Sequence, residues 1–137
     1  RVKMAKNNRH RKLGVNPAHR RAMLMNLAEN LIKHKRIKTT DSRAKALREY
    51  IEPMITKAKK GDLNSRRMVL KKLHKNAVQT LFDEIGPAYA DRPGGYTRII
   101  KLGFRNDDKA AMSLIEFVDF ESEGETAVAK NENEKAE

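Results

Sequence analysis

The chain has 137 residues, enough for one domain and too few for two comfortable ones. Its 30 Lys and Arg against 18 Asp and Glu leave a net charge of +12, which repels itself until a polyanion neutralises it, so RNA, DNA or an anionic membrane surface is the expected partner class. The absence of cysteine excludes a disulfide framework and a thiolate zinc site; no run nears ~20 apolar residues, so no membrane-spanning helix is expected, and no apolar stretch follows the basic start, so no secretory signal is expected.

The charge is front-loaded. Residues 1–60 carry 18 Lys/Arg and 4 Asp/Glu, whereas residues 106–137 carry 3 and 10. Residues 1–15 hold Lys3, Lys6, Arg9, Arg11 and Lys12 with little that is apolar, and read as a basic arm that orders along phosphates. Residues 16–120 read as the folded domain. Residues 121–137 are acidic, with only Ala127, Val128 and Ala129 as an apolar group, and read as a disordered tail.

Within the domain, Asn16-Pro17 marks a helix start, because Asn caps and Pro suits the first turn. Leu24, Leu27, Ala28, Leu31 and Ile32 then recur at helical spacing to about His34. Arg36 to Thr39 alternates as a short strand. Thr40 or Asp41 caps a second helix with the stripe Ala44, Leu47, Ile51, Met54, Ile55 and Ala58; Pro53 predicts a kink, and Gly61-Asp62 ends the helix. Two shorter helices follow, over 63–73 with Leu63, Val69, Leu70 and Leu73 apolar, and over 77–85 with Val78, Leu81, Phe82 and Ile85 apolar. Gly86-Pro87 reads as a clean stop. Pro93-Gly94-Gly95 marks a turn. Tyr96 to Leu102 and Met112 to Phe120 read as an antiparallel strand pair, with Tyr96, Arg98, Ile100 and Leu102 on one face. The fold class is therefore α+β, in the order helix, strand, three helices, two strands, with the helices packed on one small mixed sheet.

Three constellations carry cations. The first is Arg9, His10, Arg11 and Lys12 of the arm with His19, Arg20 and Arg21 of the first helix. Guanidinium forks bond phosphate bidentately, and no acid precedes Glu29, which favours nucleic acid over a merely solvated charge run. The second is Arg92 to Arg98, where Gly94 and Gly95 permit close backbone approach, Arg92 and Arg98 flank them, and Tyr96 either stacks on a base or fills the core. The third is Lys35, Arg36 and Lys38 beside Lys33 and His34, which serves the dipole of the first helix, RNA contact, or both. The four histidines are spread through the chain without ligand spacing, and no serine sits in a nucleophile motif, so no metal, cofactor, small-molecule substrate or catalytic group is expected.

The runs Arg9-His10-Arg11-Lys12-Leu13-Gly14, His19-Arg20-Arg21-Ala22-Met23-Leu24, Arg36-Ile37-Lys38-Thr39-Thr40 and Ala44-Lys45-Ala46 resemble the bacterial large-subunit ribosomal protein seventeen family. So do Leu81 to Pro87 and the run from Tyr89 through Gly94-Gly95-Tyr96-Thr97-Arg98 to Gly103, so the resemblance covers about residues 9–118 in unbroken order. It implies a structural, non-enzymatic protein that binds large-subunit ribosomal RNA near the exit side of the peptide tunnel, beside neighbouring ribosomal proteins, in a cytoplasmic or organellar ribosome. Carried over, the RNA contacts are Arg9, His10, Arg11, Lys12, His19, Arg20 and Arg21, with the 93–98 turn as a further contact. The eight residues ahead of Arg9 and the acidic stretch after Phe120 depart from the family pattern. The competing readings are a free-standing nucleic-acid-binding regulator, which would discriminate duplex sequences by base contacts, and an RNA-modifying enzyme, which would need a cofactor loop or general-base pair.

Overall fold

The computed structural model describes residues 11–120. Arg9 and His10 of the arm, and the tail at 121–137, lie outside the described residues.

Helix α1 (Pro17–His34) begins as its sequence dictates: Asn16 Oδ1 accepts a hydrogen bond from the His19 amide at 2.8 Å, and Pro17 occupies the first turn, where no amide donor is needed. It ends at Lys35, whose left-handed backbone (φ 66°) lets its amide donate to Leu31 O at 2.8 Å. Strand β1 (Arg36–Thr40) runs directly into α2 (Asp41–Lys60). Thr40 occupies the capping position without a side-chain cap bond, and α2 continues unbroken across Pro53 to Gly61 (φ 68°). Asp62 then caps α3 (Leu63–Leu70) by accepting from the Ser65 amide at 3.3 Å.

The next helical run departs from the reading of Gly86-Pro87 as a stop. Helix α4 (Lys75–Thr80) passes into a π-helical turn at Leu81–Ile85 and then into α5 (Gly86–Ala88). Pro87 has no amide to give to Asp83 O and its ring crowds that carbonyl; the π turn, in which Gly86 N–H donates to Leu81 O, absorbs the mismatch. Gly86 is there for close packing rather than for termination: a Cβ on it would lie 2.9 Å from Ala58 O of α2.

Strands β2 (Thr97–Phe104) and β3 (Ala111–Phe117) complete a three-stranded sheet of order β1-β3-β2. Both pairings are antiparallel, so the sheet is antiparallel rather than mixed. The last strand in sequence enters the centre and pairs with both neighbours, separating β1 and β2, which run parallel to each other without touching. The register aligns Ile37, Ile115 and Ile99 in one row and Arg36, Glu116 and Arg98 in the next. Alternation therefore turns Ser113, Ile115 and Phe117 inward and Leu114 and Glu116 outward. A bulge between Lys101 and Gly103 twists the β2–β3 hairpin near its tip.

Helix α2 forms the centre of the core. Its Leu47, Ile51 and Ile55 are fully buried with Leu31, Leu81, Ile85 and Ile115. The stripe read for α1 is buried only in its second half, at Ala28, Leu31 and Ile32, while Leu24 and Leu27 stay half-buried. In α3, Leu63 and Leu70 are exposed rather than core; α3 is short, and Val69 with Leu73 makes its inward contact.

Candidate nucleic-acid interface

Near the start of α1, Arg11, Lys12, His19 and Arg21 are exposed, and Arg20 is half-buried. The Arg20 guanidinium donates to Lys12 O at 3.4 Å, which ties the end of the arm to the first turn of the helix. Leu13 and Gly14 between them both have positive φ (57° and 69°), so the chain reverses there and brings Lys12 back over α1. Arg11, Lys12 and Arg21 have no carboxylate partner among the described residues. Cations in that state offer their full charge to phosphate.

Lys71 and Lys72 at the end of α3 join this group, and sequence reasoning missed them. With Arg11, Arg20 and Arg21 they border a groove of about 660 Å³ floored by Leu24, Met25 and Tyr50. Their one sequence signal, a Lys-Lys pair at the end of a short helix, says nothing of which other cations it faces.

A second group forms around the end of β3. Glu116 Oε2 accepts from Arg36 at 2.8 Å, and Glu116 Oε1 accepts from Arg98 Nε at 3.0 Å with a second guanidinium nitrogen of Arg98 2.9 Å away, so one carboxylate bridges cations on both flanking strands. Lys35 Nζ donates to Ile32 O and to Glu84 Oε2 at 3.1 Å, and stands over the Phe120 ring at 5.4 Å. Arg92 donates to Asp119 Oδ2 at 2.7 Å. Lys38 remains exposed on the outer sheet face without a carboxylate partner among the described residues. Apart from Lys38, the cations of this region (Lys35, Arg36, Arg92 and Arg98) are thus held by acids, and their positions are set by the fold before any ligand arrives.

The turn before β2 has two characters. Gly94 and Gly95 are exposed, Gly95 adopts a left-handed backbone (φ 64°), and a Cβ at either would meet nothing within 4 Å, so the backbone is open to close approach. Tyr96 is the correction. Its side chain is 1% exposed, its hydroxyl accepts from Lys59 Nζ at 3.1 Å, and its ring lies 5.3 Å from that of Tyr89. It precedes β2 rather than sharing the outer face with Arg98 and Ile100, and it is core rather than a stacking platform.

The two cationic groups do not merge. Arg20 and Lys35 are at opposite ends of α1, 15 residues apart, which at 1.5 Å per residue is about 22 Å. Among the described residues no cluster of His, Asp and Glu suits a metal ion, and no helix is long and apolar enough to cross a membrane.

A small α+β domain that presents free cations along one helix start and fixed cations at one end of a sheet is a basic scaffold domain, built to lie against a polyanion. The family described as ribosomal protein L17 matches residues 23–118, and the chain belongs to that family. It is similar to the large ribosomal subunit protein bL17 of Rickettsia canadensis, 53% identical over 125 residues, covering 90% of this chain and 92% of that protein. The protein of the same name from Rickettsia africae is 52% identical over 126 residues, with 91% and 93% covered. That from Phocaeicola vulgatus is 54% identical over 129 residues, with 93% and 80% covered.

Proposed function

We propose that this chain is a structural constituent of the large ribosomal subunit and that it binds ribosomal RNA through its basic arm and the start of α1. Membership of the L17 family supports the first part, since its relatives carry the name of a large-subunit protein. The observation that carries the second is the group Arg11, Lys12 and Arg21, exposed and without carboxylate partners among the described residues. Arg9 and His10, which directly precede Arg11 in the sequence, belong to the same reading. Lys35, Arg36, Lys38, Arg92, Arg98 and the open Gly94-Gly95 backbone form a second, more rigid surface for RNA. Placement beside other ribosomal proteins belongs to the same reading and is supported by Leu102 and Phe104, which are 46% and 74% exposed on the hairpin. The relatives are bacterial proteins, whose ribosomes lie in the cytoplasm, and this favours the cytoplasm over an organelle.

The test is a salt titration of binding to ribosomal RNA from purified large subunits. Replacing Arg9, Arg11 and Lys12 together by Ala should weaken binding and lower the log–log salt slope by roughly 0.7–0.9 for each phosphate no longer neutralised. An unchanged slope counts against the arm as a phosphate clamp, and absence of the chain from purified large subunits counts against the whole reading.

A further inference from the structure

The groove between α1, α2 and the end of α3 has a composition that phosphate binding alone leaves unexplained. Arg11, Arg20, Arg21, Lys71 and Lys72 line it, but so do the half-buried apolar and aromatic side chains of Leu24, Met25 and Tyr50. Tyr50 is fixed in place: its hydroxyl donates to Lys72 O at 3.0 Å, and Lys72 Nζ stands 5.8 Å from its ring centroid. Phosphate gains nothing from an apolar floor, and Glu49 on the lining repels it. A nucleobase is the complement: its face covers apolar and aromatic surface, its exocyclic amine can donate to a carboxylate, and its phosphates on either side meet the cations. A continuous duplex keeps its bases stacked and cannot reach such a floor.

We propose that this groove holds one unstacked nucleotide of the bound RNA, base down on Leu24, Met25 and Tyr50, with the adjoining phosphates on Arg20, Arg21, Lys71 and Lys72. The inference rests on the reading of the chain as an rRNA-binding protein and adds a base-level interaction to it. The volume of about 660 Å³ accommodates a base with its sugar. The acidic segment after Phe120 is the other polyanion to be considered, since it belongs to the same chain, and it is distinguished by experiment.

The experiment uses the full chain with ribosomal RNA from large subunits, read by 2′-hydroxyl acylation, which reports flexible nucleotides of every base type. Ala22 is exposed and lines the groove, so Ala22→Trp places bulk in the groove without removing a cation. The wild type should protect an unpaired nucleotide that Ala22→Trp leaves reactive, with binding about tenfold weaker and the salt slope unchanged. A second variant, Lys71→Ala with Lys72→Ala, changes only exposed side chains; it should release the same nucleotide and lower the slope by roughly 0.7–0.9 per phosphate. Identical acylation patterns for the wild type and both variants, with binding intact, overturn the inference and leave the parent reading standing. Loss of the variants' effects in a chain ending at Phe120, with tighter RNA binding, assigns the groove to the acidic segment and also overturns it. No binding of the wild type to the RNA at all defeats the parent reading itself.

Discussion

Lys59 donates a hydrogen bond to the hydroxyl of Tyr96 at 3.1 Å, joining two residues 37 positions apart in the chain. The same ammonium group donates to Arg92 O, and Thr56 Oγ1 lies 3.4 Å from the Tyr96 hydroxyl. The turn that carries Arg92, Gly94 and Gly95 is therefore fastened to α2 from beneath by a buried aromatic side chain.

Removing that hydroxyl separates the core role of Tyr96 from a role in recognition. Tyr96→Phe should lower unfolding free energy by about 1 kcal/mol, the net value of a hydrogen bond, because the ring still fills its site. Tyr96→Ala should cost about 3–5 kcal/mol through the cavity it leaves. Denaturant unfolding measures both. RNA affinity of the Phe variant should match the wild type in the same buffer; a tenfold loss with stability intact would show a direct interaction of the phenolic group with RNA.

Gly86 gives a case in which packing overrides helix propensity. Its backbone is ordinary right-handed helix (φ −55°, ψ −54°), where Ala is favoured over Gly by about 1 kcal/mol. The Cβ would nevertheless meet Ala58 O at 2.9 Å and Ala58 C at 3.0 Å, and these are backbone atoms of the last turn of α2 rather than the far end of a flexible side chain. Gly86→Ala should therefore destabilise by about 1–3 kcal/mol, seen as a lower midpoint in thermal or denaturant unfolding. A gain in stability would mean that α5 can move away from α2 at little cost.

Asp41 links the start of α2 to the central strand. Hydrogen bonds from Lys45, at 2.9 Å, and from the Ser113 hydroxyl, at 2.9 Å, hold its carboxyl below the usual carboxylate range. A carboxyl depressed in the folded state stabilises the protein above its unfolded value, near 3.8, and that contribution is lost as pH falls through the lower folded value. Unfolding monitored between pH 5 and pH 2 should show stability falling less steeply in Asp41→Asn than in the wild type. Parallel curves for the two proteins would remove Asp41 as a source of acid sensitivity.

Much of the element order is legible from local chemistry. Asn16-Pro17 starts α1, Gly61 ends α2, and the switch from period 3.6 to period 2 after Gly95 marks the strands. Each of these signals depends on a residue's own backbone preference or on near neighbours, so tertiary contacts have little to alter. The charge imbalance and the motif order point to RNA and to the family in the same way.

What failed depended on partners distant in sequence. Gly86-Pro87 reads locally as a stop, yet the close approach of Ala58 makes Gly86 a packing residue within a continuing helix. Tyr96 reads equally as platform or core until Lys59, Thr56 and Tyr89 are seen around it. Leu63 and Leu70 fit an apolar stripe, yet both are exposed in the fold.

The basic character of this protein, its helix starts and its family were thus determined by the sequence alone, because charge, capping and turn chemistry act over a few residues. Only the tertiary structure decided which cations are free and which are held. Glu116 can bridge Arg36 and Arg98 because β3 lies between β1 and β2, and Lys71 and Lys72 share a groove with Arg20 because α3 packs against α2 and the chain leaves it there. Ion pairing and groove formation are fixed by distances across the fold, and linear spacing does not contain those distances.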